Sequence, residues 1–361
     1  MHMAAGADMK RFILLIAVFT QLLCAGSFTQ ADPIKVNSIQ TASLTNVNKT
    51  SPERIILDTD IGDDIDDAFA LALSLSSHEI ELMGVTTAWG DTGLRARLVE
   101  RFLCETGNMD VPVFAGVQTT SKTNFTQRGW AREYSASKHQ PSAAGVDFIL
   151  NTVRRYPGRI TLIAIAPLNN VGALIDKDPA TFRKLKKVVL MGGSIRRGYG
   201  DIGSATSPGP SAEYNIQMDV SSANKLLASG VPIFMLPLDS TQLQLDAARR
   251  KRIFEKNTPL THVLMQLYSE WSAATKRTTP VLFDAMAVAY DLDPGLCPMT
   301  QIRLHVDNGG YTRVIAGTPN VNVCLQSDPD KFFSFYMPRI LNAKVKSSAG
   351  GFSCTGNPAV R

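Results

Sequence analysis

The sequence predicts an α/β protein: a single large domain built on an open, mostly parallel mixed sheet with helices on both faces. Three observations predict it. Short apolar, β-branched runs recur along the chain without polar alternation, as strands buried on both faces require. Amphipathic stretches of helical length separate them, which is how parallel strands are connected. Finally, 361 residues with 44% hydrophobic and 19% charged side chains are enough for a sizeable core.

In chain order, 54–57 reads as a buried strand and 66–75 as a helix, then 81–87 as a strand and 94–105 as a helix. The stretch 144–156 is helical and leads through Pro157-Gly158 into a strand at 160–166. A helix begins at 170–175, a strand follows at 187–191, a helix at 223–229 and a strand at 232–237. Two long stretches, 118–140 and 194–211, lack regular pattern; the second carries Gly198, Gly200, Gly203 and Gly209 with Pro208 and Pro210. Long loops in a compact domain are usually functional or mobile. In an open α/β sheet the ligand crevice lies beyond the carboxyl ends of the strands.

The first 31 residues are read as a secretory signal, outside the fold. Lys10-Arg11 precede an apolar run from Phe12 to Phe19, and small or polar residues follow up to Ala31. Cleavage is expected after Ala31, with Thr29 an imperfect residue three places before the cut. The alternative, an uncleaved anchor, is disfavoured because a spanning helix needs roughly 20 apolar residues. Lipid attachment at Cys24 is disfavoured by Leu23, where a small residue is wanted. Residues 32–52, rich in Ser, Thr, Asn and Gln, read as a flexible lead-in, and 53–361 as the domain. The expected location is secreted or periplasmic, with no stable membrane insertion after cleavage.

Of five cysteines, Cys104, Cys297, Cys324 and Cys354 remain after the signal. No pair has the spacing of a zinc site. An oxidising compartment permits a disulfide, for instance between the late pair Cys324 and Cys354, but the sequence does not assign the connectivity. A net charge of +5 is mild, and clusters such as Arg183-Lys184 and Arg249 to Arg252 read as solvated helix faces, not a nucleic-acid patch.

The most informative segment follows the first strand. Asp58, Asp60, Asp63, Asp64, Asp66 and Asp67 place six carboxylates within ten residues. Such a cluster repels itself unless something positive sits in it. Capping of the next helix explains one or two of the six. Oxygen ligands without His or Cys point to calcium or magnesium, and Gly62 permits a sharp turn. An EF-hand is excluded by Phe69 at the twelfth place. Asp58-Thr59-Asp60 also resembles the start of haloacid dehalogenase phosphatases, with Asp58 as nucleophile, but Gly62 stands where that family carries Thr or Val.

Ile55 to Asp60 followed by Asp66-Asp67-Ala68 resembles the opening signature of the inosine–uridine-preferring nucleoside hydrolases. The resemblance continues in order. It runs through Gly84-Val85-Thr86-Thr87 with Gly90-Asp91, Ala166-Pro167-Leu168-Asn169-Asn170, and Val188 to Gly193. It goes on through Glu213-Tyr214-Asn215, Leu238-Asp239-Ser240-Thr241, Asp284 to Ala289, and Pro319-Asn320-Val321 with Asp328 and Phe332.

The resemblance implies the nucleoside hydrolase fold, with its Rossmann-like core, and a calcium-dependent ribohydrolase acting on small-molecule nucleosides as a homodimer or homotetramer. It implies that Asp60, Asp67 and Asp284 give carboxylates to Ca2+ and Asn169 its backbone carbonyl, with Asp60 also the general base. Asp66, Asp91, Met191, Glu213 and Asn215 are implied at the sugar, and Asp58 as a brace behind the cluster.

The sequence departs from the family in four places. The acidic loop carries a two-residue insertion at Asp63-Asp64. Asp91 and Ser207 stand near expected Asn positions. Phe283 occupies the place of a His or Trp, so it cannot donate a proton but can stack on the base. His139, Tyr199, Trp130, Trp89 and Trp271 are further candidates to flank the base. Cleavage of another N-riboside, such as nicotinamide riboside, and nucleoside binding without catalysis are the competing readings.

Overall fold

The structure is a computed structural model that describes residues 51–119, 125–134, 144–201, 209–344 and 354. The expected signal, residues 32–50 of the lead-in, His139 and Ser207 lie outside the described residues. Through the first two thirds of the chain, β1 (Glu53–Thr59), β2 (Ile80–Thr87), β3 (Val113–Ala115), β4 (Ile160–Ile165), β5 (Lys187–Met191) and β6 (Ile233–Leu236) alternate with helices. These are α1 (Asp66–Ser76), α2 (Thr92–Glu105), α3 (Arg128–Arg132), α4 (Gly145–Arg155), α5 (Asn169–Lys177), α6 (Pro179–Phe182), α7 (Tyr214–Gln217) and α8 (Val220–Ala228). Next come α9 (Leu238–Thr241), α10 (Ala247–Phe254), α11 (Pro259–Thr275) and α12 (Ala285–Leu292). The chain then forms β7 (Met299–Ile302), β8 (Leu304–Val306), β9 (Thr312–Val314), β10 (Val321–Cys324) and α13 (Pro329–Leu341).

Eight strands form one sheet in the order β3-β2-β1-β4-β5-β6-β10-β7. Every pairing in it is parallel except the antiparallel edge pair β10–β7. The expected single α/β domain on a mostly parallel mixed sheet is what forms. Alternate side chains of each strand enter opposite layers. Ile55, Leu57, Ile163, Ile165 and Val189 pack on one face with the side chains of α1, α11, α12 and α13. Ile56, Leu162, Ala164, Val188 and Leu190 pack on the other with those of α4, α5 and α8. Burial on both faces is why these strands read as unbroken apolar runs.

The cysteine expectation is corrected. Cys104, in α2, bonds to Cys354, and Cys297 bonds to Cys324 at the end of β10. The fold brings the Cα atoms of the two pairs to 6.0 and 5.6 Å, although Cys104 lies 250 positions from Cys354 and Cys297 only 27 from Cys324. Among the described residues no helix is long and apolar enough to cross a membrane.

Candidate active site

The central strands β1, β4 and β5 run parallel, so their carboxyl ends open on one edge of the sheet. Beyond β1 the acidic turn covers residues 60–65 before α1 starts at Asp66. Gly62 has φ +117°, and a Cβ there would fall 2.3 Å from the Phe125 ring. Only glycine makes this turn against that ring. The backbone of the turn is held from two sides. The fully buried Arg95 guanidinium donates to the carbonyls of Asp60 and Ile61, and its Nε to the Trp89 carbonyl. Thr126 Oγ1 donates to the Asp63 carbonyl (2.6 Å), Gln127 N to the Gly62 carbonyl (3.1 Å) and Gln127 Nε2 to the Asp64 carbonyl (3.0 Å). With its carbonyls engaged, the turn is free to send its carboxylates toward the strand ends.

Three of the acids converge. Asp66 and Asp67, in the first turn of α1, and Asp284, more than 200 positions later, bring carboxylate oxygens within 4.8 Å of one another, all three buried. Asp284 stands at the N-terminus of α12 without making a side-chain cap, so capping does not account for it. Its backbone amide instead donates to Asp66 Oδ2 (3.3 Å), while Thr59 Oγ1 donates to Asp67. Burial, then mutual repulsion, drives all three carboxyls well above the usual carboxylate range. Burial also lifts Asp60 to about 7, against the pull of Arg95. Behind the turn, Asp58 accepts from Thr86 Oγ1 (2.6 Å) and Asn170 Nδ2 (2.7 Å) and so ties β1 to β2 and α5. Desolvation still raises it to about 6.

A cavity of about 360 Å³ opens over this cluster. Met191, at the end of β5, and Asn215 lie together on its wall, Asn215 Nδ2 donating to the Met191 carbonyl (3.2 Å). Glu213 is fixed more firmly, for its carboxylate accepts from the amides of Gly193 (2.8 Å), Asn215 (2.9 Å) and Ile216 (3.1 Å). These bonds favour its charge, yet burial is the larger effect and the carboxyl lies above its ordinary range. Phe283, Tyr199, Trp271 and Arg277 line the same cavity, with the Phe283 and Tyr199 rings edge to face at 6.2 Å.

With this geometry in view, comparison with known proteins is decisive. The family model for inosine-uridine preferring nucleoside hydrolase matches residues 55–334. The chain belongs to that family. Its relatives include an uncharacterised protein of Schizosaccharomyces pombe, 35% identical over 213 residues, 55% of this chain and 66% of that one. A pyrimidine-specific ribonucleoside hydrolase of Citrobacter koseri is 26% identical over 79% of this chain and 97% of its own length. Among solved structures, a purine-preferring ribonucleoside hydrolase from Gardnerella vaginalis aligns with a TM-score of 0.68 at 25% identity, over 81% of this chain and 99% of that one. The aligned part thus spans just under two thirds of the S. pombe protein.

In this nucleoside hydrolase the structure brings Asp60, Asp66, Asp67, Met191, Glu213, Asn215, Phe283 and Asp284 to one cavity. Three expected residues, Asp66, Asp91 and Asn169, have defined contacts of their own. Asp66, expected at the sugar, is a member of the close carboxylate group, whereas Asp60 lines the cavity outside it. Asp91 is exposed and caps α2, its Oδ1 accepting from Leu94 N (3.0 Å), so it is not part of the cavity wall. Asn169 begins α5 and donates to the Val117 carbonyl (2.8 Å), again off the cavity wall. Asp239, read as serving the fold, accepts from the amides of Ile195 and Arg196. Of the aromatic candidates, Tyr199 and Trp271 reach the cavity. Trp130 is buried against Gln266, and Trp89 donates to the Tyr214 hydroxyl (2.9 Å) from behind.

Sequence reasoning missed Arg95, Thr126, Gln127, Tyr214, Thr275 and Arg277. Arg95 sits between Leu94 and Ala96 in α2, and nothing in the pattern separates a buried Arg from a solvated one. Asp63 and Asp64, an insertion whose roles the sequence leaves open, also line the cavity.

Proposed function

We propose that this nucleoside hydrolase splits ribonucleosides into ribose and free base, with a calcium ion held at the Asp66, Asp67 and Asp284 end of the cavity. The observation that carries the reading is the convergence of those three buried carboxylates from distant parts of the chain. The site fits a hard cation. Its donors are oxygens alone, and three buried carboxylates within 4.8 Å of one another repel unless a positive charge joins them. Asp60 and the Asn169 carbonyl are proposed as further oxygens of the set.

Bound there, the ion would polarise the attacking water and orient the ribose hydroxyls. Asp60 takes the proton from that water as general base. Glu213, locked by three amides, accepts from a ribose hydroxyl and opposes the positive charge growing on the sugar. Asn215 and Asp66 hold the remaining hydroxyls, Met191 packs under the ring, and Phe283 offers its face to the base. Asp58 braces the turn from behind.

Two disulfides support an oxidising, secreted or periplasmic setting, as does the signal-like start. The family likeness supports a homodimer or homotetramer.

The test is release of free ribose from a panel of purine, pyrimidine and nicotinamide ribosides, with and without chelator. Chelator-sensitive release from ordinary nucleosides is expected. Release from none of the panel would overturn the reading, and release from nicotinamide riboside alone would move the substrate to that class.

A further inference from the structure

The cavity wall carries seven carboxylates and, among the described residues, one cation, Arg277. Arg277 follows α11, whose end is marked by Lys276 in the left-handed region at φ 61°. Its backbone is anchored, the amide donating to Thr275 Oγ1 (3.2 Å) and the carbonyl accepting from Ser272 Oγ (2.6 Å). Its side chain is exposed at the mouth, while the carboxylate group is buried at the floor. Asp64 and Trp271 line the same cavity as Arg277.

Among the described residues, the aromatic side chains of the cavity offer the base no free donor. Phe283 has no donor. The Tyr199 hydroxyl donates toward Glu213 (3.5 Å) and accepts from the Tyr214 amide (3.0 Å), and burial pushes its ionisation far up. The Tyr214 hydroxyl accepts from the Trp89 indole (2.9 Å), and burial raises its ionisation.

We propose that Arg277 is the leaving-group residue, setting its positive charge against the negative charge that the base takes up as the glycosidic bond breaks. The inference rests on the nucleoside-cleaving reading and extends it to the departing half of the substrate. The C1′–N bond breaks with its electron pair passing to the base nitrogen, and a C1′–O bond forms to water. The water proton goes to Asp60 and from there to solvent. Charge on the departing base spreads over ring nitrogens and carbonyl oxygens, all acceptors for guanidinium N–H groups. Arginine stays protonated throughout, so the base takes its final proton from solvent at the mouth.

The test compares wild type, Arg277→Met and Arg277→Lys on a nucleoside that wild type cleaves and on p-nitrophenyl β-D-ribofuranoside, whose phenolate leaves without help. Arg277→Met should lose on the order of 10²-fold in kcat/KM on the nucleoside and about 3-fold or less on the nitrophenyl substrate. Arg277→Lys should recover part of the nucleoside rate, because a point charge replaces a fork of donors. Equal losses on both substrates, or an unchanged nucleoside rate, would overturn the assignment. Wild-type protein that frees ribose from neither substrate would instead overturn the hydrolase reading on which it rests.

Discussion

The backbone amide of Asp284 donates to the carboxylate of Asp66 across 218 positions of sequence, at 3.3 Å. The contact joins the start of α12 to the start of α1, two helices whose side chains pack in one core layer. It therefore links the shape of the site to the packing of the domain. Removing the Asp284 carboxylate, as in Asp284→Ala, leaves this amide bond in place but takes an oxygen from the group. The variant should fold and lose calcium binding by calorimetry, with turnover down by roughly 10²-fold or more. Undiminished calcium affinity would show that the ion sits elsewhere.

Asp60→Ala tests the general base separately from the ion. Loss of a positioned base costs typically 10²–10⁴-fold, so kcat should fall by that order. Calcium affinity should change less than in Asp284→Ala, since Asp60 lies outside the close carboxylate group. Near-normal kcat would remove Asp60 from the chemistry.

Burial gives the chelated protein a distinctive pH dependence. The folded-state values of Asp60, Asp66, Asp67 and Asp284 are raised above the ordinary 3.8, Asp60 to about 7. The folded chain then keeps protons that the unfolded chain has already released. Stability must fall as pH climbs from about 4 through the folded-state values. In thermal melts with chelator, Tm should be lower at pH 8 than at pH 5, and excess calcium should flatten the slope. A slope of Asp284→Asn equal to that of wild type would contradict the assignment to this cluster.

Gly62→Ala adds a methyl at φ +117°, aimed at the Phe125 ring. A backbone strain of about 1–3 kcal/mol and the clash should both appear in chemical denaturation. Adding Phe125→Ala should relieve the clash but not the backbone cost, so recovery would be partial. Full recovery would mean that sterics alone demand glycine here.

Asp91→Ala separates a cap from a sugar contact. Loss of the bond to Leu94 N should cost about 1 kcal/mol of stability with KM for the nucleoside unchanged. A several-fold rise in KM without loss of stability would restore Asp91 to the sugar.

The parts of this fold that sequence made legible are those where one pattern had one physical cause. Strands such as 187–191 are apolar from their second residue, Val188, to Met191 because both faces are covered, and the pattern marks their bounds. The acidic turn was legible because six neighbouring carboxylates are too costly without a partner. Residues that act through distance were not legible. Arg95 reaches the turn from α2, and Arg277 reaches the cavity after α11, yet each looks like any surface arginine in a string of letters. Asp91 carries a second signal that the letters do not separate from a sugar contact: it caps α2, accepting from Leu94 N. The pairing of Cys104 with Cys354 was hidden for a similar reason, since 250 residues separate them and the fold alone makes them neighbours.

That same bond closes a covalent ring from position 104 to position 354, which encloses Glu213, Arg277 and Asp284. A peptide bond cut by a protease anywhere along the ring leaves both pieces tethered to the body of the protein. Where proteases reach the chain, one nick in a surface loop is then an injury the molecule can survive, and two are needed to shed a fragment.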